Sequence, residues 1–230
     1  MVQTHALPLY VQISEMLIRD IQSGRLGDGE RLPPEREMAK DLSISVGTLR
    51  KSLADLSEKG LLERRQGSGN YVRHGAAPSS VYAFFRLERI EGGGLPTAQI
   101  LSVELREKPD CLPAFGDGPM AHRIRRLRHL GGAPAAVEEI WLDASACAAL
   151  NAEDLSESLY LFYKNSLNIW IQRAEDRVGV GDAPNWARAH GFDGTMGLVD
   201  RVSWSQTGAS VEASRTWFDP NTVRYVARLT

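Results

Sequence analysis

The sequence predicts an α+β chain in two parts: a small helical head closed by a hairpin, then a curved antiparallel sheet with short helices. Three observations predict it. Residues 33–60 place apolar side chains at helical spacing between cap signals, and residues 61–72 form two β-prone runs about a glycine-rich tip. Beyond residue 80, β-prone runs recur between glycine turns, with only short helical stretches among them. Arg73 to Ser80 is small, polar and proline-containing, the composition of a linker. The expected domains are 1–74 and 81–230, joined at 75–80.

In the head, Pro33 and Pro34 open a helix, because proline is pre-organised for a first turn and has no N–H to leave unpaired there. Met38, Ala39 and Leu42 form its apolar side, opposite Arg36, Glu37 and Lys40. Ser43-Ile44-Ser45 breaks the run, and Ser45 is placed to cap a second helix whose Leu49, Leu53 and Leu56 face a core. Gly60 ends that helix, since glycine takes a left-handed cap at little cost. Leu61 to Val72 then reads as a hairpin around Gly67-Ser68-Gly69, with Arg64 and Arg65 leading into it. A helix–turn–helix followed by a two-stranded wing is a device for gripping duplex DNA. The second helix is expected to expose Val46, Gly47, Thr48, Arg50 and Lys51.

In the second part, strands are expected at 81–90 and 100–107, about the flexible Glu91-Gly92-Gly93-Gly94. A hairpin pairs 124–130 with 135–142 around Gly131-Gly132. Short helices are expected at 144–150, 158–165 and 183–190. Further strands are expected at 169–178, 198–206, 211–218 and 223–229. Arg126 and Arg128 are two apart in a strand and so project from one face, where an anion between them would relieve their repulsion. Glu138 falls near their level on the partner strand, placed either to orient an arginine or to accept a hydrogen bond from a ligand hydroxyl or amine. Ser158 opens a helix, where a hydroxyl and free N–H groups can receive an anion.

Charge distribution supports this division. Residues 31–75 hold nine Lys/Arg against six Asp/Glu, and residues 76–230 hold sixteen against nineteen. A weakly basic module beside an acidic one suits specific, dimer-assisted DNA binding better than general coating of DNA. Cys111 and Cys147 form no CxxC and have no paired histidines nearby, so no metal site is expected and both are read as buried, reduced thiols. No signal-like start and no apolar run of membrane length are present, so the protein is expected in the cytoplasm, with no membrane partner and no cofactor.

These motifs carry a resemblance. Pro8-Leu9-Tyr10 with Gln12-Ile13, Leu32-Pro33 with Glu35-Arg36-Glu37, Thr48-Leu49-Arg50, Gly60-Leu61-Leu62 and Gly67-Ser68-Gly69 together resemble the winged helix–turn–helix of GntR bacterial transcription regulators. The resemblance implies that Arg36 and Arg50 contact operator DNA and that the wing tip enters the minor groove. Ser45, Val46, Gly47, Thr48, Lys51, Arg65, Gln66, Gly67, Ser68 and Gly69 complete the expected DNA-binding set. Val46 is a departure, because the family commonly has a guanine-reading arginine there. Valine donates no hydrogen bond, though it can touch a thymine methyl.

The second part resembles the UTRA domain of the HutC branch, which shares its fold with chorismate lyase. The matching residues are Arg126-Leu127-Arg128, Gly132 with Pro134 and Glu138, Ser158-Leu159-Tyr160, Arg201, and Gly208 with Val211-Glu212 and Ser214. The resemblance implies an effector pocket lined by Arg126, Arg128, Glu138, Ser158, Tyr160, Glu212 and Phe218. Two readings follow. The first is a homodimeric repressor on a palindromic double-stranded operator, released by a small anionic metabolite. The second is an enzyme acting on a small carboxylic acid through the lyase-like domain. Against the second, no nucleophile–base pair has motif-grade spacing, and the head would serve no purpose.

Overall fold

The computed structural model describes residues 8–74, 82, 84–92, 94–155 and 158–228. The head begins with α1 (Leu9–Gln22), followed by α2 (Glu35–Asp41), α3 (Val46–Glu58) and the antiparallel pair β1 (Leu62–Arg65) and β2 (Gly69–Val72). The pattern of apolar residues alone did not reveal α1. Gln12, Ser14, Arg19 and Asp20 are all buried on it and interrupt the apolar spacing. Ser14 explains one of them: its hydroxyl donates to the Ser52 carbonyl at 3.1 Å and to Asp55 at 2.6 Å, tying α1 to α3.

The expected helix boundaries in the head are present with their physical causes. The Ser45 hydroxyl accepts from the Thr48 N–H at 3.0 Å, capping α3. Helix α2 ends with Ser43 at φ 54°, while Ser43 N–H reaches Lys40 O at 2.9 Å and Ile44 N–H reaches Ala39 O at 2.9 Å. Helix α3 ends the same way, with Gly60 at φ 72°, Gly60 N–H on Ser57 O and Leu61 N–H on Leu56 O. Leu49, Leu53 and Leu56 meet Ile13, Leu17, Leu32, Leu61 and Val72 in one apolar core. The wing is thus fixed to the helices by the core that orients α3.

The chain divides into two compact units, 8–96 with 225–228, and 97–224, among the described residues. The expected linker at 75–80 lies outside the described residues. The described residues among 82–96 group with the head rather than with the sheet expected from 81 onward. The Arg19 guanidinium lies 5.7 Å from the Phe85 ring centre, Leu95 packs on the head core, and Arg25 lies beside Gly92. The strand expected at 81–90 is only β3 (Leu87–Arg89) in its described part. The last residues also belong here: Val226 N–H donates to Arg86 O at 2.8 Å, and Arg228 forms a two-pronged pair with Glu88 at 2.6 and 3.0 Å.

The other unit is built on one six-stranded sheet. Its strands are β4 (Pro96–Glu107), β5 (Met120–Leu130), β6 (Ala133–Asp143), β7 (Ile171–Asp182), β8 (Thr195–Ser205) and β9 (Ser210–Phe218), in the order β4-β5-β6-β9-β8-β7. The Gly131-Gly132 hairpin forms as expected, both glycines at positive φ. Among the described residues one α-helix, α4 (Leu159–Ser166), lies in this unit, and the final strand β10 (Val223–Tyr225) follows β9. The helix expected at 144–150 is a single 3-10 turn, 144–146, capped by Asp143 and ended by extended backbone at Cys147. The helix expected at 183–190 is likewise a 3-10 stretch, Asn185–His190, closed by Gly191 at φ 86°. Cys111 is exposed and Cys147 half-buried, so the expectation of two buried thiols is corrected for Cys111. No helix among the described residues is long and apolar enough to cross a membrane.

Candidate functional site

Two groups of candidate residues lie in the two units. In the head, the first turns of α3 expose Gly47, Arg50 and Lys51, and Ser45 is exposed just before them. Thr48 is half-buried, and its hydroxyl is 2.8 Å from that of Ser45. Val46, expected to be exposed, is half-buried and packs against the head core. An apolar β-branched side chain at the start of the helix gains more from that core than from water. Arg36 is exposed on α2, and Glu35 beside it accepts from the Arg50 Nε at 2.6 Å. That bond engages Arg50 through Nε and leaves its two terminal nitrogens as donors of the kind a guanine edge accepts.

The wing tip turns through Gly67 at φ 72° and Gly69 at φ 125°, values that a side chain would strain. Gln66 and Gly67 are exposed. Arg65 lies with its guanidinium 4.3 Å from the Tyr71 ring centre and its Nε 2.9 Å from Glu63. The Ser68 hydroxyl is 2.7 Å from that of Tyr71. Between the wing and the start of α2 lies a cleft of about 770 Å³, reaching from Arg31 to Arg36 on one side and Arg64 to Asn70 on the other.

In the other unit, strand register brings the second group together. Residues opposite one another in an antiparallel pair project to the same side, so the pairings define rows across one face. One row runs Arg126, Glu138, Thr216, Val199, and the next runs Ile124, Ile140, Ser214, Arg201, Asp176. A third holds His122, Leu142, Glu212 and Ser203, and a fourth holds Arg128, Ala136, Phe218 and Gly197. Arg126, Arg128, Glu138, Glu212 and Phe218 therefore share one face, and all five are buried. Helix α4 covers it: Tyr163 donates to Glu212 at 2.7 Å and Tyr160 at 3.1 Å. Ser158, also buried, caps that helix by accepting from the Leu161 N–H at 3.4 Å.

The electrostatics of this face differ from the expectation in one respect. Arg126 and Arg128 do not repel across empty space, because Glu138 sits with both, 2.6 Å from Arg126 and 3.5 Å from Arg128. Burial pushes the Glu138 carboxyl up, but the charges of Arg126, Arg128 and the farther Arg201 more than reverse this and hold it below the usual carboxylate range. Glu212 goes the other way. Burial raises it, and the hydroxyls of Tyr163, Ser203 and Tyr160 and the Arg201 charge only partly offset that. The Arg126–Arg128–Glu138 group sets two guanidiniums against one carboxylate, with Glu212 and the Arg201–Asp176 pair on the neighbouring rows of the same face. Guanidinium forks of this kind can pair with a ligand carboxylate or phosphate.

Sequence reasoning did not include Tyr163, Arg201, Asp176 or Ser203 among the candidates. Arg201 holds Asp176 with bonds of 2.5 and 2.6 Å, and Ser203 donates to Glu212 at 3.0 Å. The alternation Arg201, Ser203 along one strand was a usable signal, but its meaning depends on register with β9. Phe218 is seated by Gly197, whose absent Cβ would stand 2.4 Å from the ring. Only glycine leaves room for the ring at that row.

Comparison with known proteins agrees with the two-part architecture. Residues 9–72 match the model of the bacterial regulatory proteins of the gntR family, and residues 91–224 match that of the UTRA domain. The transcriptional regulator SmoD of Agrobacterium fabrum (strain C58) is 57% identical over 227 residues, covering 97% of each chain. The repressor NagR of Bacillus subtilis (strain 168) is 27% identical, covering 91% of this chain and 90% of that one. MngR of Escherichia coli (strain K12), the repressor of a mannosyl-D-glycerate transport/metabolism system, is 24% identical over 95% of this chain and 94% of its own. Among solved structures, YydK of Bacillus subtilis subsp. subtilis str. 168 shares the fold, with a TM-score of 0.55 at 19% identity, covering 97% of this chain and all of that one.

Proposed function

The chain belongs to the gntR family of bacterial regulatory proteins, with a UTRA domain following its winged head, and on that premise we propose that it is a homodimeric repressor released from its operator by a small anionic metabolite. The chain is a transcription regulator and not an enzyme, in line with its relatives. The observation that carries the proposal is the pairing of two features. One is an exposed cationic helix start beside a glycine-tipped wing, and the other is a buried arginine pair with one carboxylate on a separate unit.

Two heads on a two-fold dimer would read a palindrome, with half-site spacing set by the dimer axis. Support for dimerisation through the sheet comes from its edges. Strands β4 and β7 end the sheet, and β7 exposes Val178 at 53% and Val180 at 76%. Long edges with exposed apolar residues favour burial against a partner. The effector class follows from the arginines: a carboxylate- or phosphate-bearing small molecule, with Glu138 and the hydroxyls meeting its polar remainder. MngR is named for a system handling a sugar linked to glycerate, a carboxylate, which fits an acidic sugar here. Linkage then requires the effector to bind the DNA-free form more tightly than the DNA-bound form. HutC-branch membership and a cytoplasmic place complete the reading.

Arg50→Ala is the direct test at the DNA face. Arg50 is exposed and off the Leu49-Leu53-Leu56 stripe, so folding should be nearly unchanged. Loss of a base-reading arginine should cost about 1–3 kcal/mol of discrimination between operator and unrelated duplex. Footprinting and competition binding measure it. A variant with normal stability and an unaltered footprint would remove Arg50 from the interface.

A further inference from the structure

We propose that Arg31, together with Arg36 and Arg64, forms a clamp for the DNA sugar–phosphate backbone in the cleft between the wing and the start of α2, while Arg65 braces the wing. This rests on the DNA-binding reading and assigns it a backbone contact site. Four arginines line the cleft, and Glu35 is the one acid among its lining residues. Glu35 is engaged by Arg50 at 2.6 Å, so its charge is already answered. Arg65 is engaged too, stacked on Tyr71 and bonded to Glu63. Arg31, Arg36 and Arg64 are exposed, and none has an ion-pair partner among the described residues.

The placement of Arg31 is structural rather than incidental. Residues 29–32 run alongside β2 as a third strand-like segment. Gly29 N–H donates to Val72 O, Val72 N–H to Glu30 O and Leu32 N–H to Asn70 O, each at 2.9 Å. Arg31 forms a bridge opposite Tyr71, and its guanidinium lies beside the wing tip, Nε 3.4 Å from where a Cβ on Gly69 would be. Gly69 has no side chain to cover it. Three uncompensated cations around one cleft suit a row of phosphates, and phosphate contacts position a protein on DNA without reading sequence. Base reading is left to the start of α3.

The experiment uses the full chain and a duplex enriched by it from random-sequence DNA, with affinity measured across salt concentrations. Each phosphate contact adds about 0.9 to the slope of log affinity against log salt. Arg31→Gln and Arg64→Gln should each lower that slope by about one and weaken enriched and scrambled duplexes equally. Arg188→Gln, an exposed arginine of the other unit, should leave the slope as it is. Both test positions are exposed, so thermal unfolding should match wild type. A wild-type protein that enriches no duplex would overturn the underlying DNA reading. A wild type with a steep slope that both substitutions leave unchanged would overturn the clamp alone, as would a change in the enriched sequence without a change in slope.

Discussion

Glu138→Ala should lower the unfolding free energy by about 3–5 kcal/mol, the usual result of stripping one partner from a buried ionic group. Glu138 is 7% exposed and lies against Arg126 and Arg128, themselves 6% and 5% exposed. Its removal strips two buried guanidiniums of the carboxylate that lies against both. Glu138→Gln keeps an acceptor oxygen and should lose less. The pH dependence follows from the lowered carboxyl. A group whose folded value lies below its unfolded one adds stability that is present above the ordinary carboxylate range. That contribution disappears as pH falls through the folded value. Chemical denaturation at neutral and acidic pH checks both points: the gap between wild type and Glu138→Gln should narrow on acidification. Equal stability of Glu138→Ala and wild type would mean that the arginine pair does not need its carboxylate.

Arg126→Ala should hold the operator and ignore the effector. Arg126 lies in the unit 97–224, whereas the helix–turn–helix lies in the other, so DNA binding without effector should survive. Loss of one partner of a desolvated charge pair costs about 2–5 kcal/mol of affinity, enough to move the releasing concentration by more than tenfold. A thermal-shift screen of sugar acids and sugar phosphates supplies the probe, because a ligand at 100 times its dissociation constant adds about 2.7 kcal/mol of stability. Release of labelled operator is then titrated for wild type, Arg126→Ala and Arg126→Lys. Lysine keeps the charge but not the two-pronged geometry and should fall between them. Release of Arg126→Ala at the wild-type concentration would remove the arginine from the site.

What could be read from the sequence divides along the range of the interactions involved. The helix–turn–helix was legible because its signals are local: Ser45 caps within three residues, Gly60 closes its own helix, and Leu49, Leu53 and Leu56 form a stripe without outside help. Helix α1 was not, because Ser14 and Asp20 look like surface residues until their partners on other segments are known. The same division holds in the sheet. Arg126 and Glu138 were placed together because the Gly131-Gly132 turn sets their register locally. Arg201 and Asp176 required the β7–β8 register, and Tyr163 required α4 to be laid over β9. Of the two roles open to Glu138, the structure shows the first: it lies against both arginines. The case for an anionic effector rests on the two guanidinium forks buried on one face.

Enrichment of random-sequence duplex DNA by the full chain is the most direct test of a two-headed regulator. A dimer carrying two winged heads predicts convergence on an inverted repeat with one fixed half-site spacing, about one helical turn of DNA or a multiple of it. Arg50→Ala should lose that convergence while still retaining duplex at low salt. Failure of the wild-type protein to enrich any sequence over the starting pool would contradict the account, and convergence on a single unrepeated site would contradict its dimer.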